Sequence, residues 1–257
     1  MEPPGGTGTR RDAAWVAALL ALWAVSRLGY SWAWGVRFDA GTLDWYLQFI
    51  DPELLRTRLL ESTFHMRDQP PGFNLFLGAV LKAAGPSAPA VFRAVYALGG
   101  IALVVALWSL MRRMGVLRPI AFGIVALFAT SPVTVLYESW LFYTYPITVL
   151  LCVAALWLNR FAESGRGRDA AVLYTVLAIV VITRGTFHLA WFVAILAGTA
   201  LVVRGATPRR LAAAAAIPCA LVLGLYLKNL LTFGDWFAGR IFRYMIYAQM
   251  VLQNVLP

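Results

Sequence analysis

The sequence has little charge and few of the residues that form cross-links or bind metals. Only 13% of its 257 residues are charged, two are cysteines and two are histidines. Cys152 and Cys219 lie within apolar stretches, and their spacing fits neither a metal site nor a disulfide framework. The formal net charge is +10, but the arginines stand singly or in pairs between apolar runs. That distribution lacks the basic stripe that binds a nucleic-acid backbone, so we expect no nucleic-acid partner.

Apolar residues are abundant instead, at 61% of the chain against about 45–50% in soluble proteins. Apolar runs recur from residue 13 to the end, whereas a cleaved secretory signal has one short run. A membrane-spanning helix needs about 20 apolar residues. The sequence therefore predicts an all-α, polytopic membrane bundle with seven spans, at residues 13–33, 90–110, 117–137, 141–158, 169–183, 186–203 and 211–227.

Arginines in every second connection set the predicted orientation, because positive residues concentrate on the cytoplasmic side. They lie at residues 10–11, 112–118, 160–168 and 204–210. We expect a plasma (inner) membrane protein with a cytoplasmic N-terminus, whose residues 34–89, turns at 138–140 and 184–188, and chain after 228 are extracytoplasmic.

This orientation divides the chain into three parts. Residues 1–12 are expected to be a disordered cytoplasmic tail, residues 13–231 the membrane module, and residues 232–257 an extracytoplasmic amphipathic segment. Within the loop at 34–89, apolar residues at helical spacing over 47–59 and a 71–84 segment too short to cross predict two interfacial helices.

Polar side chains from five parts of the sequence meet at the predicted outer face. A charged group in a turn too short to leave the bundle normally lines a cavity, so this grouping favours a functional site over charged loops that merely meet water. The residues are Asp39, Asp44, His65, Arg67, Asp68, Gln69, Glu138, Arg184, His188, Lys228 and Asn229.

Several of these residues have two interpretations. Asp39 can act as a general base or cap a helix that begins at residue 41, and Asp44 is the alternative base. Arg184 and His188, four residues apart, can bind a lipid phosphate from a helix start or extend to lipid headgroups. Lys228 ends the last span, and a lysine at such a position often extends to lipid headgroups.

Four segments in this order, "FDAGTLDWY", "QPPGFNLFLGAVLK", "ITRGTFHLAW" and "KNLLTFG", resemble the GT-C superfamily of integral-membrane glycosyltransferases. The resemblance is to its bacterial, largely uncharacterised branch near the protein mannosyltransferases and the lipid A aminoarabinose transferases. It implies inverting transfer of a sugar from a polyprenyl-phosphate donor to a protein, lipid or glycan acceptor. It also implies Asp39 or Asp44 as base, donor-phosphate contacts from Arg67, Arg184, His188 and Lys228, and a sugar or acceptor pocket with His65, Gln69, Glu138, Tyr143 and Asn229.

The sequence departs from the family in two ways. Asp39 is followed by Ala40 where an acidic pair is common, and family members usually continue for several more spans, so we expect a shortened form or the shared module alone. Asp39, Asp44 and Glu138 can supply ligands for a divalent cation, although no fixed spacing indicates one. The alternative function is a transporter, flippase-like protein or partner subunit that binds a lipid-linked sugar without cleaving it; charges grouped at one face favour chemistry there over the midplane sites of transporters.

Overall fold

The computed structural model describes residues 7–45, 48–67, 69–203 and 207–236, and this part of the chain is almost entirely helical. Apart from helices and turns, it contains one isolated bridge, in which Asp39 pairs in parallel with Trp140. The helices are α1 (Thr7–Trp34), α2 (Thr42–Trp45), α3 (Pro52–Thr57), α4 (Leu59–Phe64), α5 (Gly72–Ala84), α6 (Ala88–Arg113), α7 (Arg118–Thr130), α8 (Pro132–Glu138), α9 (Thr144–Ser164), α10 (Gly167–Thr183), α11 (Leu189–Val202) and α12 (Pro208–Phe233).

The protein is an all-helical membrane protein, and the described part of the chain does not confirm the predicted count of seven spans. Four helical stretches are long and apolar enough to cross a bilayer: Asp12–Trp34, Gly72–Arg113, Thr144–Ser164 and Pro208–Phe233. A fifth arises if α7 and α8, bent by 54° at their junction, count as one span. Helices cover most of each of the seven predicted segments, yet α10 has 17 residues and α11 has 14, fewer than the usual crossing length of about 20 residues.

The outward faces of the helices are apolar. Leu28, Leu127, Leu201 and Ile217, which lie on four different helices, are between 71% and 86% exposed, as is typical of helices that are apolar on all sides in a membrane. By contrast, α10 is a core helix: it packs against α9, α11 and α12, and Leu173, Tyr174 and Leu177 are almost completely buried there.

The second predicted interfacial helix, α5, folds back on the start of α6. The rings of Phe76 and Phe92 lie 5.6 Å apart, whereas 16 residues of continuous helix would separate them by about 24 Å. Gly85 allows the reversal because its φ of +51° is in a region that other residues rarely adopt. The first predicted interfacial helix is two short helices, α3 and α4, that pack on α5.

The ends of the chain are described only in part. The first helix begins at Thr7, inside the segment predicted to be a disordered tail, because Asp12 anchors its second turn to Arg118, 2.7 Å away, and to Arg112. Residues 1–6 of that tail and residues 237–257 of the predicted amphipathic segment lie outside the described residues.

The arginine-rich connections lie together at one end of the bundle. Besides the contacts of Asp12, Arg113 forms an ion pair with Glu163 at the end of α9. The polar segments at 35–41, 64–72, 138–144 and 183–188 lie at the other end, which we call the site end. The alternation of charge along the sequence thus corresponds to helices that run back and forth between two distinct ends.

Candidate functional site

The site end contains a groove between the chain that follows α1 and the outer face of α8. Its volume is about 630 Å³, within the range of ligand pockets. Most of its lining is apolar, and two charged side chains interrupt it. The lining residues are Val36, Arg37, Asp39, Val133, Leu136, Tyr137, Ser139 and Trp140.

Asp39 is fixed in this groove by its backbone. Its N–H donates to the carbonyl oxygen of Ser139 over 2.7 Å, and its own carbonyl accepts from the N–H of Leu141 over 2.9 Å. The side chain is exposed, and its Oδ1 accepts a hydrogen bond of 2.8 Å from the N–H of Gly41. Both interpretations of Asp39 are therefore compatible, because one carboxylate oxygen caps the turn before α2 while the other can face a ligand.

Asp44 lies on α2 and is exposed, but it does not belong to the groove lining. The structure thus separates the two candidate bases: one is in the groove and the other is outside it.

Arg37 is a groove residue that the sequence reasoning missed. It is exposed and shares the groove with Asp39, two residues later in the same irregular segment. In the described part of the chain, no ion pair or hydrogen bond engages its guanidinium. The signal was present in the sequence as "RFD", since residues i and i+2 of an extended segment face the same side.

Glu138, predicted to shape the pocket, is instead committed to a buried network. It is 6% exposed and forms an ion pair with Arg27 of α1, whose Nε donates to Oε1 over 3.2 Å. The hydroxyl of Tyr145 donates to Oε2 over 2.8 Å, and the indole N–H of Trp23 donates to the same oxygen over 3.3 Å. Arg27 was missed as well, although a single arginine inside an apolar run is a signal for a buried partner.

Arg184 lies at the site end, where it borders the same segment as Asp39. Its guanidinium stacks over the ring of Tyr143 at 4.8 Å and donates to the hydroxyl of Thr144 over 3.3 Å. Tyr143 in turn donates to Oε1 of Gln48 over 2.7 Å. Residues 139–144 therefore connect Asp39 to Arg184, but the two side chains approach this segment from opposite ends.

His188 precedes α11 and is exposed; its side chain does not cap the helix. Among the described residues it shares no hydrogen bond or ion pair with Arg184, and the joint phosphate site of the two residues stays a prediction.

Lys228 and Arg67 link the end of α12 to the chain after α4. The ammonium group of Lys228 donates to the carbonyl oxygens of Phe64 over 3.0 Å and Met66 over 2.7 Å. Arg67 lies 3.6 Å from a carboxylate oxygen of Asp235. Both cations thus have structural partners near the site end, which weakens the case for them as phosphate contacts.

The remaining predicted pocket residues lie near this junction. His65 donates through Nδ1–H to the carbonyl oxygen of Glu61 over 2.9 Å and is exposed. Gln69 is half-buried. Asn229 is buried on α12, and its Oδ1 has no hydrogen-bond partner among the described residues.

The Pro-Pro-Gly motif after Gln69 packs this loop against the end of α10. A Cβ built on Gly72 would lie 2.6 Å from the carbonyl oxygen of Ile182, and one on Gly185 would lie 3.6 Å from Pro70. The motif therefore brings the loop before α5 to the segment that carries Arg184.

A cation site is not evident at the site end. Within residues 7–45, 48–67, 69–203 and 207–236, no three His, Cys, Asp or Glu side chains come together.

The chain was compared with protein-family models, curated proteins and solved structures, and none of them matches it.

Proposed function

We propose that the protein is a membrane glycosyltransferase, similar to the GT-C superfamily, that transfers a sugar from a polyprenyl-phosphate donor to an acceptor at the groove. The observation that carries the proposal is the groove itself, in which a carboxylate and a guanidinium that has no ion-pair partner among the described residues lie beside an apolar wall. A base, a cation and an apolar surface are the groups that such a transfer requires.

Each step of the reaction has a candidate group. The free oxygen of Asp39 takes the proton from the acceptor hydroxyl or amide. The acceptor atom then bonds to the anomeric carbon from the opposite face, the bond from that carbon to the phosphate oxygen breaks, and the polyprenyl phosphate leaves with the electron pair. The configuration of the sugar is inverted.

Arg37 is the best-supported contact for the departing phosphate, because a fixed cation stabilises charge that develops as the bond breaks. Val133 and Leu136, which are 62% and 58% exposed, offer an apolar surface for the isoprenoid chain. Arg184 is the second choice, since its guanidinium stacks on Tyr143 and is not in an ion pair with a described residue.

The distribution of charge supports an extracytoplasmic groove in the inner membrane. The arginine-rich end carries Arg112, Arg113 and Arg118, and such clusters favour the cytoplasmic side; the site end is opposite to it.

The test is release of polyprenyl phosphate from radiolabelled polyprenyl-phosphate sugars by the purified protein in liposomes, with membrane protein, lipid and glycan fractions as acceptors. Asp39→Asn is expected to lower the rate by about 100-fold or more. Asparagine keeps a side-chain oxygen that accepts from Gly41, so this variant removes the base and retains the cap. Asp44→Asn is the matched control, and its rate is expected to stay within about twofold of the parent because Asp44 lies outside the groove.

Three outcomes contradict parts of the proposal. Release that persists in Asp39→Asn removes that residue as the base, and loss of release only in Asp44→Asn assigns the role to Asp44. Tight binding of the labelled donor without any release identifies a binder or transporter and rejects the enzyme.

A further inference from the structure

We propose that Arg27 and Glu138 are positioning residues for the groove: their buried ion pair fixes the end of α8 and, through the backbone, the position of Asp39. This inference rests on the proposed function, which makes the position of Asp39 matter. The contacts that hold Glu138 do not depend on that function. We call Arg27, Glu138, Trp23 and Tyr145 the clasp.

The clasp joins α1 and α9 to α8 through Glu138, the last residue of α8. Glu138 is held from α1 by Arg27 and Trp23 and from α9 by Tyr145. Its carboxylate approaches α6 so closely that a Cβ on Gly100 would lie 2.9 Å from Oε2. Because the carboxylate is enclosed on these sides and Glu138 is only 6% exposed, the two charges must stay paired: removal of one leaves the other largely buried without the partner it has among the described residues.

Arg27 also donates to a backbone carbonyl oxygen at the break between α7 and α8. The junction of α7 and α8 lies at Ser131 and Pro132, and proline there removes a backbone donor and ends the first helix. Carbonyl groups at a helix end have no partner within the helix, and lipid cannot supply one. Arg27 donates to the carbonyl of Ala129, so one guanidinium binds both sides of the bend.

The clasp is connected to Asp39 by one residue of chain. Ser139 directly follows Glu138, and its carbonyl accepts the N–H of Asp39. Leu141 donates back to Asp39 and accepts a 2.8 Å hydrogen bond from the hydroxyl of Thr42. A shift of Glu138 therefore moves Ser139 and the groove wall to which Asp39 is bonded.

The test measures the rate at which a disulfide forms across the isolated bridge. Asp39→Cys and Trp140→Cys are introduced into the full chain with Cys152→Ala and Cys219→Ala, so that no other thiol competes. Paired strands lie about 4.8 Å apart, within the range that a disulfide spans. The reporter needs no enzymatic activity, so failure of the proposed function and failure of this inference are separate results.

Glu138→Gln is expected to slow cross-linking by about fivefold or more, because the charge of Arg27 loses its partner. The double change Arg27→Gln and Glu138→Gln removes both charges, and we expect its rate to return to within about twofold of the parent. The control is Glu163→Gln, which breaks the exposed ion pair with Arg113 at the opposite end and should leave the rate unchanged. If Glu138→Gln slowed cross-linking only by destabilising the fold, adding a second core substitution would slow it further. Recovery of the rate in the double variant therefore indicates that the unpaired charge caused the effect.

Cross-linking of Glu138→Gln at the parent rate, in protein with unchanged helical circular dichroism, overturns the inference, and so does a double variant that is slower than the single one. If Glu138→Gln does not accumulate in the membrane, Arg27→Lys replaces it: lysine keeps the positive charge but lacks the planar fork that binds Glu138 and Ala129 together. Cross-linking is then expected to be slower, and a rate equal to that of the parent would likewise refute the clasp.

Discussion

A methyl group at position 100 tests the clasp by crowding it. A Cβ on Gly100 would lie 2.7 Å from Nε1 of Trp23 and 2.9 Å from Oε2 of Glu138, both of which are closer than real Cβ contacts. Alanine can be accommodated only if one of these atoms moves, and their mutual hydrogen bond of 3.3 Å then lengthens. Gly100→Ala is therefore expected to destabilise the protein.

The neighbouring residue supplies the control. A Cβ on Gly99 would make ordinary contacts, 3.5 Å from Tyr145 and 3.6 Å from Val149. Replacing glycine by alanine inside a helix stabilises it by about 1 kcal/mol, and this gain applies to both positions. Overpacking at position 100 costs about 1–3 kcal/mol, and the lost hydrogen bond costs about 1 kcal/mol more.

The free energy of unfolding of Gly100→Ala should consequently be about 2–4 kcal/mol lower than that of Gly99→Ala. Denaturant titration of the two variants in the same detergent micelles, followed by circular dichroism, measures this difference. If Gly100→Ala is as stable as Gly99→Ala, the close packing of α6 against the clasp is refuted.

Two other contacts at the site end can be tested, the first by the same denaturant titration and the second by limited proteolysis. Gly72→Ala is expected to cost about 1–3 kcal/mol, because its Cβ would lie 2.6 Å from the backbone oxygen of Ile182; Gly224→Ala, with open space around it, should be neutral or stabilising, and equal effects would contradict the packing of α5 on α10. Lys228→Met removes two hydrogen bonds to the chain after α4 while retaining an apolar stem. Protease cleavage near residue 66 is expected to become faster, and unchanged cleavage would show that this tether is not needed.

The helices could be predicted from the sequence because each apolar run carries its own signal. Whether an apolar run crosses a membrane depends also on the helices around it. The sequence of α10 predicts a span, but the helix has only 17 residues and is enclosed by three other helices. The alternation of arginines predicted which connections lie at the same end of the bundle. Each helix takes the chain from one end to the other, so this property depends only on the number of helices between two connections.

The candidate site was predicted less completely. The gathering of polar segments at one end followed from the order of helices, and Asp39 followed from its place after the first of them. The partner of Glu138 could not be predicted, because Arg27 is 111 residues away and pairing at that distance is set by how α1 packs. The structural roles of Lys228 and Arg67 were missed for related reasons: the carbonyl acceptors of Lys228 at the end of α4 leave no trace in the residue types, and Asp235, the partner of Arg67, is far away in the sequence.

The bend between α7 and α8 explains why the groove and the clasp occur together. A straight helix over residues 118–138 would satisfy its own carbonyl groups and would leave no reason for an arginine in α1. The break at Pro132 exposes carbonyls that need donors, and Arg27 and Tyr30 supply them at Ala129 and Thr130. A buried guanidinium in turn needs a carboxylate. Glu138 provides it at the end of α8, nearly two turns beyond the break. The same bend turns α8 so that its outer face and the chain after α1 form the two walls of the groove. The charged pair inside the bundle and the carboxylate at its surface are therefore consequences of one local departure from helical geometry.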